Sequence, residues 1–463
     1  MFPAVLKRTS RKDSRTRCAR AALIESLEPR QLLSSTSGDL VALPAVPLMP
    51  TVPAAQAAPS QGYTPGQIRQ AYGFSAASQP VAGAAALAGG GATSTASPVA
   101  GIQADGTGQT IAVVAAYDDP NIVSDLHVFD QAFGLPDPFG FNRLNQTGGA
   151  ALPAANAGWA RETSLDIEWA HAVAPGARLA LVEARSNHLD DLLAAVDTAR
   201  HLDNVSVVSM SWGVNEFPDE SDFDSYFTTP DGHTGVTFVG SAGDVANSPA
   251  PQWPATSPNV LAVGGTSLAI GSNGNAISED PWAGSVSGTS QYEPPPAYQG
   301  TGAAPAAAAG RTTPDVGYNG DPLTGFAVYD SVPIQDQAGW AVLGGTSAGA
   351  PQWAALVAIA NQNRARDGQL PLDGASTTIP SVYQFYSQAA NTAGDASANT
   401  FGASAPAAAP PTGSTTDFTS GTQRNLTAVG GSVQVISALT FNAKTVPQLP
   451  PAPLPGHKPR QAK

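Results

Sequence analysis

Gly344-Gly345-Thr346-Ser347-Ala348-Gly349-Ala350-Pro351 is the most informative stretch of this 463-residue chain. Two adjacent glycines permit a tight turn that side chains would block. Trp353-Ala354-Ala355-Leu356-Val357-Ala358 continues the pattern of a helix, predicted over about 347–363. Ser347 opens that helix. Backbone N–H groups there point out of the helix end, where negative charge is favoured. A serine so placed can attack a carbonyl while its own N–H helps to hold the oxyanion. A bare Gly-Thr-Ser would read as helix capping by Thr346 or Ser347. The longer string of small residues ending in Pro351 is more specific to a nucleophile.

Outward from this stretch, short apolar runs lie at Thr110–Ala115, Leu179–Val182, Val205–Met210, Val236–Val239 and Val260–Val263. Continuous runs of this length suit strands buried on both faces. Helical patterns fall between several of them, at about 122–133, 160–172 and 188–201. Strand and helix in alternation predict an α/β fold, a doubly wound, mainly parallel sheet with helices on both faces. Thr64 and Pro65 mark the start of a further helix, as N-cap and first helical residue.

A serine hydroxyl needs a partner to take its proton. The six histidines are His127, His171, His188, His201, His233 and His457, and none stands in a His-Gly-Thr string. His171 shares a predicted helix with Glu162 but lies about 180° around it. Carboxylates are the other source of a base. Trp159-Ala160-Arg161-Glu162-Thr163-Ser164-Leu165-Asp166-Ile167-Glu168 carries Glu162 and Asp166 four residues apart, on one helix face, with Glu168 about 240° round from Glu162. Two like charges at that spacing weaken an isolated helix by a few tenths of a kcal/mol. The pair reads either as a solvated acidic face or as an acid–base couple. A third acid, Asp244, follows the strand-like Val236-Thr237-Phe238-Val239 after the turn Gly240-Ser241-Ala242-Gly243. Catalytic residues collect at such strand ends in parallel sheets. The alternative is an ordinary turn aspartate.

Taken together these motifs resemble the sedolisins, the serine-carboxyl peptidases of subtilisin-like fold, over about residues 62–440. Val207-Val208-Ser209-Met210-Ser211-Trp212-Gly213, Trp253-Pro254-Ala255-Thr256-Ser257-Pro258 and Arg311-Thr312-Thr313-Pro314-Asp315 match as well. The resemblance implies an acid-active endopeptidase. Ser347 would be the nucleophile and Glu162 its general base. Asp166 would support Glu162, and a protonated Asp244 would hold the oxyanion. Ser211, Trp212 and Gly213 would pair with the substrate backbone. The family's C-terminal calcium loop is matched only in its first half, at Asp417 and Phe418. Val429-Gly430-Gly431-Ser432 stands where a second aspartate is expected, which leaves an incomplete site. A catalytically inactive binding or surface protein on the same scaffold is the competing expectation.

Charged residues make up only 13% of the chain and its net charge is −14, with a pI of about 4.7. That balance argues against nucleic acid as a partner, since phosphate binding needs basic patches. Polypeptide substrates and a monomeric state are expected. No apolar run reaches the roughly 18 residues of a membrane helix. The lone cysteine, Cys18, excludes an internal disulfide. Residues 1–61 read as an unstructured basic leader and Ala/Pro-rich linker, residues 62–445 as the peptidase-like domain and residues 446–463 as a Pro-rich tail. Low-complexity insertions interrupt the domain at 76–101 and 403–415. The basic leader resembles that of exported bacterial proteins, so an extracellular or cell-surface location is expected.

Overall fold

A computed structural model describes residues 40–44, 62–73, 105–245, 247–300 and 309–392. The strand Thr110–Ala116 runs through the middle of the sheet with all of its residues buried. Arg178–Ala184 pairs parallel to it on one side and Val205–Met210 on the other. Phe141–Asn145 lies beyond the first. Thr237–Ser241 and then Val260–Ile270 lie beyond the second, again parallel. Val316–Asn319 pairs parallel with Val260–Ile270, and Ala276–Pro281 antiparallel, completing eight strands. This is the expected doubly wound, mainly parallel α/β architecture.

Side chains of a strand alternate between faces. Ile111, Val113 and Ala115 accordingly join one core, with Leu165, Trp169 and Trp353 from two long helices. Ala112, Val114 and Ala116 join the opposite core, with Leu192 and Val196 from the helix Leu189–Arg200. Both faces are therefore covered, which is why the strands read as unbroken apolar runs. The chain leaves the sheet in opposite directions from Thr110–Ala116. Such a reversal opens a crevice at the carboxyl ends of the strands.

Two helices bound that crevice. Ala157–Val173 begins at Asn156, whose side chain accepts from the N–H groups of Gly158 and Trp159. All residues from Trp159 to Val173 are buried, so the solvated acidic face considered for Glu162 and Asp166 is ruled out. Thr346–Arg366 begins one residue before Ser347. Its N-cap is Gly345, at a left-handed φ of 98°, and no side chain caps it. Helix capping is thus not the task of Thr346 or Ser347. Near the amino end, Thr64 and Gln67 form the capping box of the short helix Pro65–Ala71.

The linker reading of residues 1–61 needs one correction. Leu43 and Pro44 form an antiparallel pair with Gly213 and Trp212. Ala42 donates to the Asn187 carbonyl at 2.9 Å and accepts from the Asn187 side chain at 2.8 Å, and it is fully buried. An Ala/Pro-rich segment ordinarily lacks the apolar surface to fold by itself. Here the edge strand at Trp212 and the bend at Asn187 supply the missing hydrogen bonds. The segments 76–101, 403–415 and 446–463, and the calcium expectation at Asp417 and Phe418, lie outside the described residues. Among the described residues, no helix is long and apolar enough to cross a membrane.

Candidate active site

Four sequence-predicted residues converge at the carboxyl edge of the sheet. Glu162 and Asp166 project from the helix Ala157–Val173, and Ser347 lies in the first turn of Thr346–Arg366. Asp244 follows Thr237–Ser241. Each of the four is at most 1% exposed.

Burial sets the protonation of the acids. It pushes Glu162 well above the usual carboxylate range, and the neighbouring Asp166 and Asp244 charges push the same way. The Ser347 hydroxyl opposes this shift, so it faces the Glu162 carboxyl. Neither Glu162 oxygen closes a hydrogen bond of good geometry. Catalytic contacts are commonly loose before substrate is bound. The Ser347 hydroxyl instead donates weakly, at 3.5 Å, to the Ser211 carbonyl. Asp166 too is raised by burial, against a lowering contact from the Ser211 hydroxyl at 2.7 Å. The two carboxyls interact strongly, so their protons belong to the pair rather than to either residue.

Asp244 is held differently. Its Oδ1 accepts from both the N–H and the hydroxyl of Thr346, at 2.9 and 2.8 Å. Its Oδ2 is buried without a partner. Burial raises Asp244 to about 7, and the Thr346 contacts oppose that. Below neutrality the acid is protonated. Oδ2 can then donate, as an ionised carboxylate cannot. The preceding Gly243 has φ 102°, and a Cβ there would meet Gln252 Oε1 at 2.2 Å, so the turn that aims Asp244 requires glycine. The Ser347 N–H is in the first helical turn, where the helix offers no carbonyl to accept it.

Ser211, Trp212 and Gly213 leave the carboxyl end of Val205–Met210 beside Ser347. Trp212–Asn215 pairs with Gln252–Trp253 on one side and with Leu43–Pro44 on the other. The edge expected to receive substrate thus already carries an extended segment of this chain. His171 lies away from the four residues, buried with Nε2 2.7 Å from the Pro136 carbonyl and 3.4 Å from Asp130. Glu168, also remote from the pair, accepts from the Tyr329 N–H at 3.1 Å.

Comparison with known proteins agrees with this geometry. The family model for the subtilase family matches residues 148–403, more than half of the chain and a span that includes all four residues. The chain belongs to the subtilase family. Kumamolisin from Bacillus sp. (strain MN-32) is 34% identical to this subtilase over 288 residues, 56% of this chain and 49% of the relative. The chain therefore spans about half the length of that curated relative. The solved structure of Pseudomonas sedolisin (serine-carboxyl proteinase), complexed with two molecules of pseudo-iodotyrostatin, superposes with a TM-score of 0.55 at 24% identity. That match covers 72% of this chain and 87% of that one. The subtilisin-like fold is thereby shown, and the resemblance to sedolisins read from the motifs agrees with both relatives.

Three contributors were not legible beforehand: the Thr346 hydroxyl that holds Asp244, the Ser211 hydroxyl that holds Asp166, and the covering segment Leu40–Pro44. Thr346 and Ser211 stand inside recognised strings, but nothing in a string tells which side chain turns toward a neighbouring acid.

Proposed function

We propose that this subtilase is a serine endopeptidase of the sedolisin kind, hydrolysing polypeptides on the acid side of neutrality. The observation that carries the reading is the burial of Glu162, Asp166 and Asp244 around the hydroxyl of Ser347, with no histidine of the described residues in the group. Ser347 Oγ attacks the scissile carbonyl carbon as Glu162 takes its proton. Asp166 shares a proton with Glu162 and steadies it. The carbonyl oxygen becomes an oxyanion, accepted by the protonated Oδ2 of Asp244 and by the N–H of Ser347. Glu162 returns the proton to the leaving amine. Water then repeats the sequence on the acyl-enzyme and frees the carboxylic acid product.

The pH dependence follows from the same groups. Asp244 must keep its proton, so the rate falls as pH rises through about 7. The acid limb belongs to the first ionisation of the Glu162–Asp166 pair. Polypeptide would bind as the Leu43–Pro44 segment does, in antiparallel pairing with Trp212 and Gly213. Export to the cell surface or medium and a monomeric state remain part of the proposal, carried over from the sequence.

The test is cleavage of a denatured protein in acid by the purified chain. Ser347→Ala is expected to lower kcat by about four to six orders of magnitude, as for other serine units. An inactive scaffold would cleave nothing. It would also form no hemiacetal adduct with a peptide aldehyde, an outcome read by intact mass.

A further inference from the structure

Ser211 has two roles available, and only one involves its backbone. Its side chain is buried between the acid helix and the start of the serine helix, with 1% of the residue exposed. The hydroxyl has a single proton and two acceptors within reach. Asp166 Oδ1 is at 2.7 Å and the Ser347 carbonyl at 3.3 Å. The shorter bond, to the carboxyl oxygen, prevails. No other hydrogen bond reaches Asp166 among the described residues, and its Oδ2 is buried and unpartnered.

We infer that the Ser211 hydroxyl is a positioning residue for the carboxyl pair, fixing which oxygen of Asp166 is left to share the proton with Glu162. The inference rests on the peptidase reading and goes beyond it, because no step of that reading used the side chain of Ser211. Oδ1 is committed to Ser211, so Oδ2 remains for the shared proton. A carboxyl side chain without this anchor rotates about χ2 with little resistance. The proton would then be divided among several arrangements. The same hydroxyl favours the charged form of Asp166, in opposition to burial. The charged groups acting on the pair are its own two members and Asp244, all carboxyls. A neutral donor is what lowers the cost of placing one charge among them. Ser211 also reaches the nucleophile from the other side, since its carbonyl accepts from Ser347 Oγ. One residue thus spans the pair and the serine.

The test uses Ser211→Ala and Ser211→Thr in the full chain. Ser211→Ala is expected to lower kcat by about 10- to 100-fold, the range for a misplaced catalytic group, with KM little changed. The acid limb of its pH–rate profile should move to higher pH, because the pair loses the donor that stabilised its charge. Ser211→Thr keeps a hydroxyl and should restore both kcat and the limb. An unmoved limb in Ser211→Ala, or a change confined to KM, overturns the inference. A second readout does not need peptidase activity. With aspartate carboxyls labelled with carbon-13, the Asp166 resonance should titrate at higher pH in Ser211→Ala than in the parent chain. An unchanged titration also overturns the inference, whereas a shifted titration in a chain that cleaves nothing would sink the peptidase reading alone.

Discussion

Asp244 accepts two hydrogen bonds on a single carboxyl oxygen, from the N–H of Thr346 at 2.9 Å and from its hydroxyl at 2.8 Å. Thr346 is the residue before the nucleophile, so the acid and Ser347 are registered through one backbone step. The other oxygen is left without a partner. The asymmetry assigns the proton: Oδ1 is the acceptor and Oδ2 carries the hydrogen. Asp244→Asn places a permanent N–H donor where the carboxylic acid donates only when protonated. The alkaline limb near 7 should therefore move up in Asp244→Asn, while Asp244→Ala loses about 100- to 1000-fold in kcat. pH–rate profiles of both variants check this, and a limb that stays in place in Asp244→Asn would contradict it.

A larger set of buried acids governs stability. Burial raises Asp119 and Asp130 to about 7 and Asp330 to about 6, and it lifts Glu168 well above its usual range. In the unfolded chain such groups titrate near 4. Between about 4 and 7 the folded state therefore holds more protons than the unfolded state, and stability falls as pH rises. The contribution is full below the unfolded pKa and is lost through the folded one. The midpoint of thermal unfolding should drop between pH 4 and pH 7.5, and by less in Glu168→Gln. A flat or rising midpoint, measured by circular dichroism, would count against this account.

The covering segment leads to a third prediction. Ala42 is fully buried beside the edge that polypeptide must use. A carboxylate introduced there would have to be desolvated, at a cost of several kcal/mol when unpaired. Ala42→Asp should therefore expel Leu40–Pro44 from the edge. KM for a peptide substrate is expected to fall, with kcat retained. An unchanged KM would show that the segment does not compete with substrate.

Much of this was legible because the chemistry lies within short strings. Glu162 and Asp166 share a helix face by spacing alone, and Gly344-Gly345-Thr346-Ser347 announces its turn. The strands were readable because burial on both faces leaves unbroken apolar runs. The pairing of Leu43 with Gly213 was not readable, since it joins positions 170 residues apart and the segment has no pattern of its own. Glu168 was set outside the pair by its angle round the helix, but its burial was missed. Leu165, Trp169 and Ala172 mark one apolar face, and the polar residues that complete the circle gave no sign that neighbouring elements cover them too.

The most direct test is the pH–rate profile of the wild-type chain beside that of Glu162→Gln. The wild-type rate should peak in acid and fall through about 7. The Glu162→Gln rate should be lower by about two to four orders of magnitude at every pH, the usual worth of a general base. A wild-type rate that climbs into the alkaline range, or a Glu162→Gln variant as fast as its parent, would contradict the mechanism.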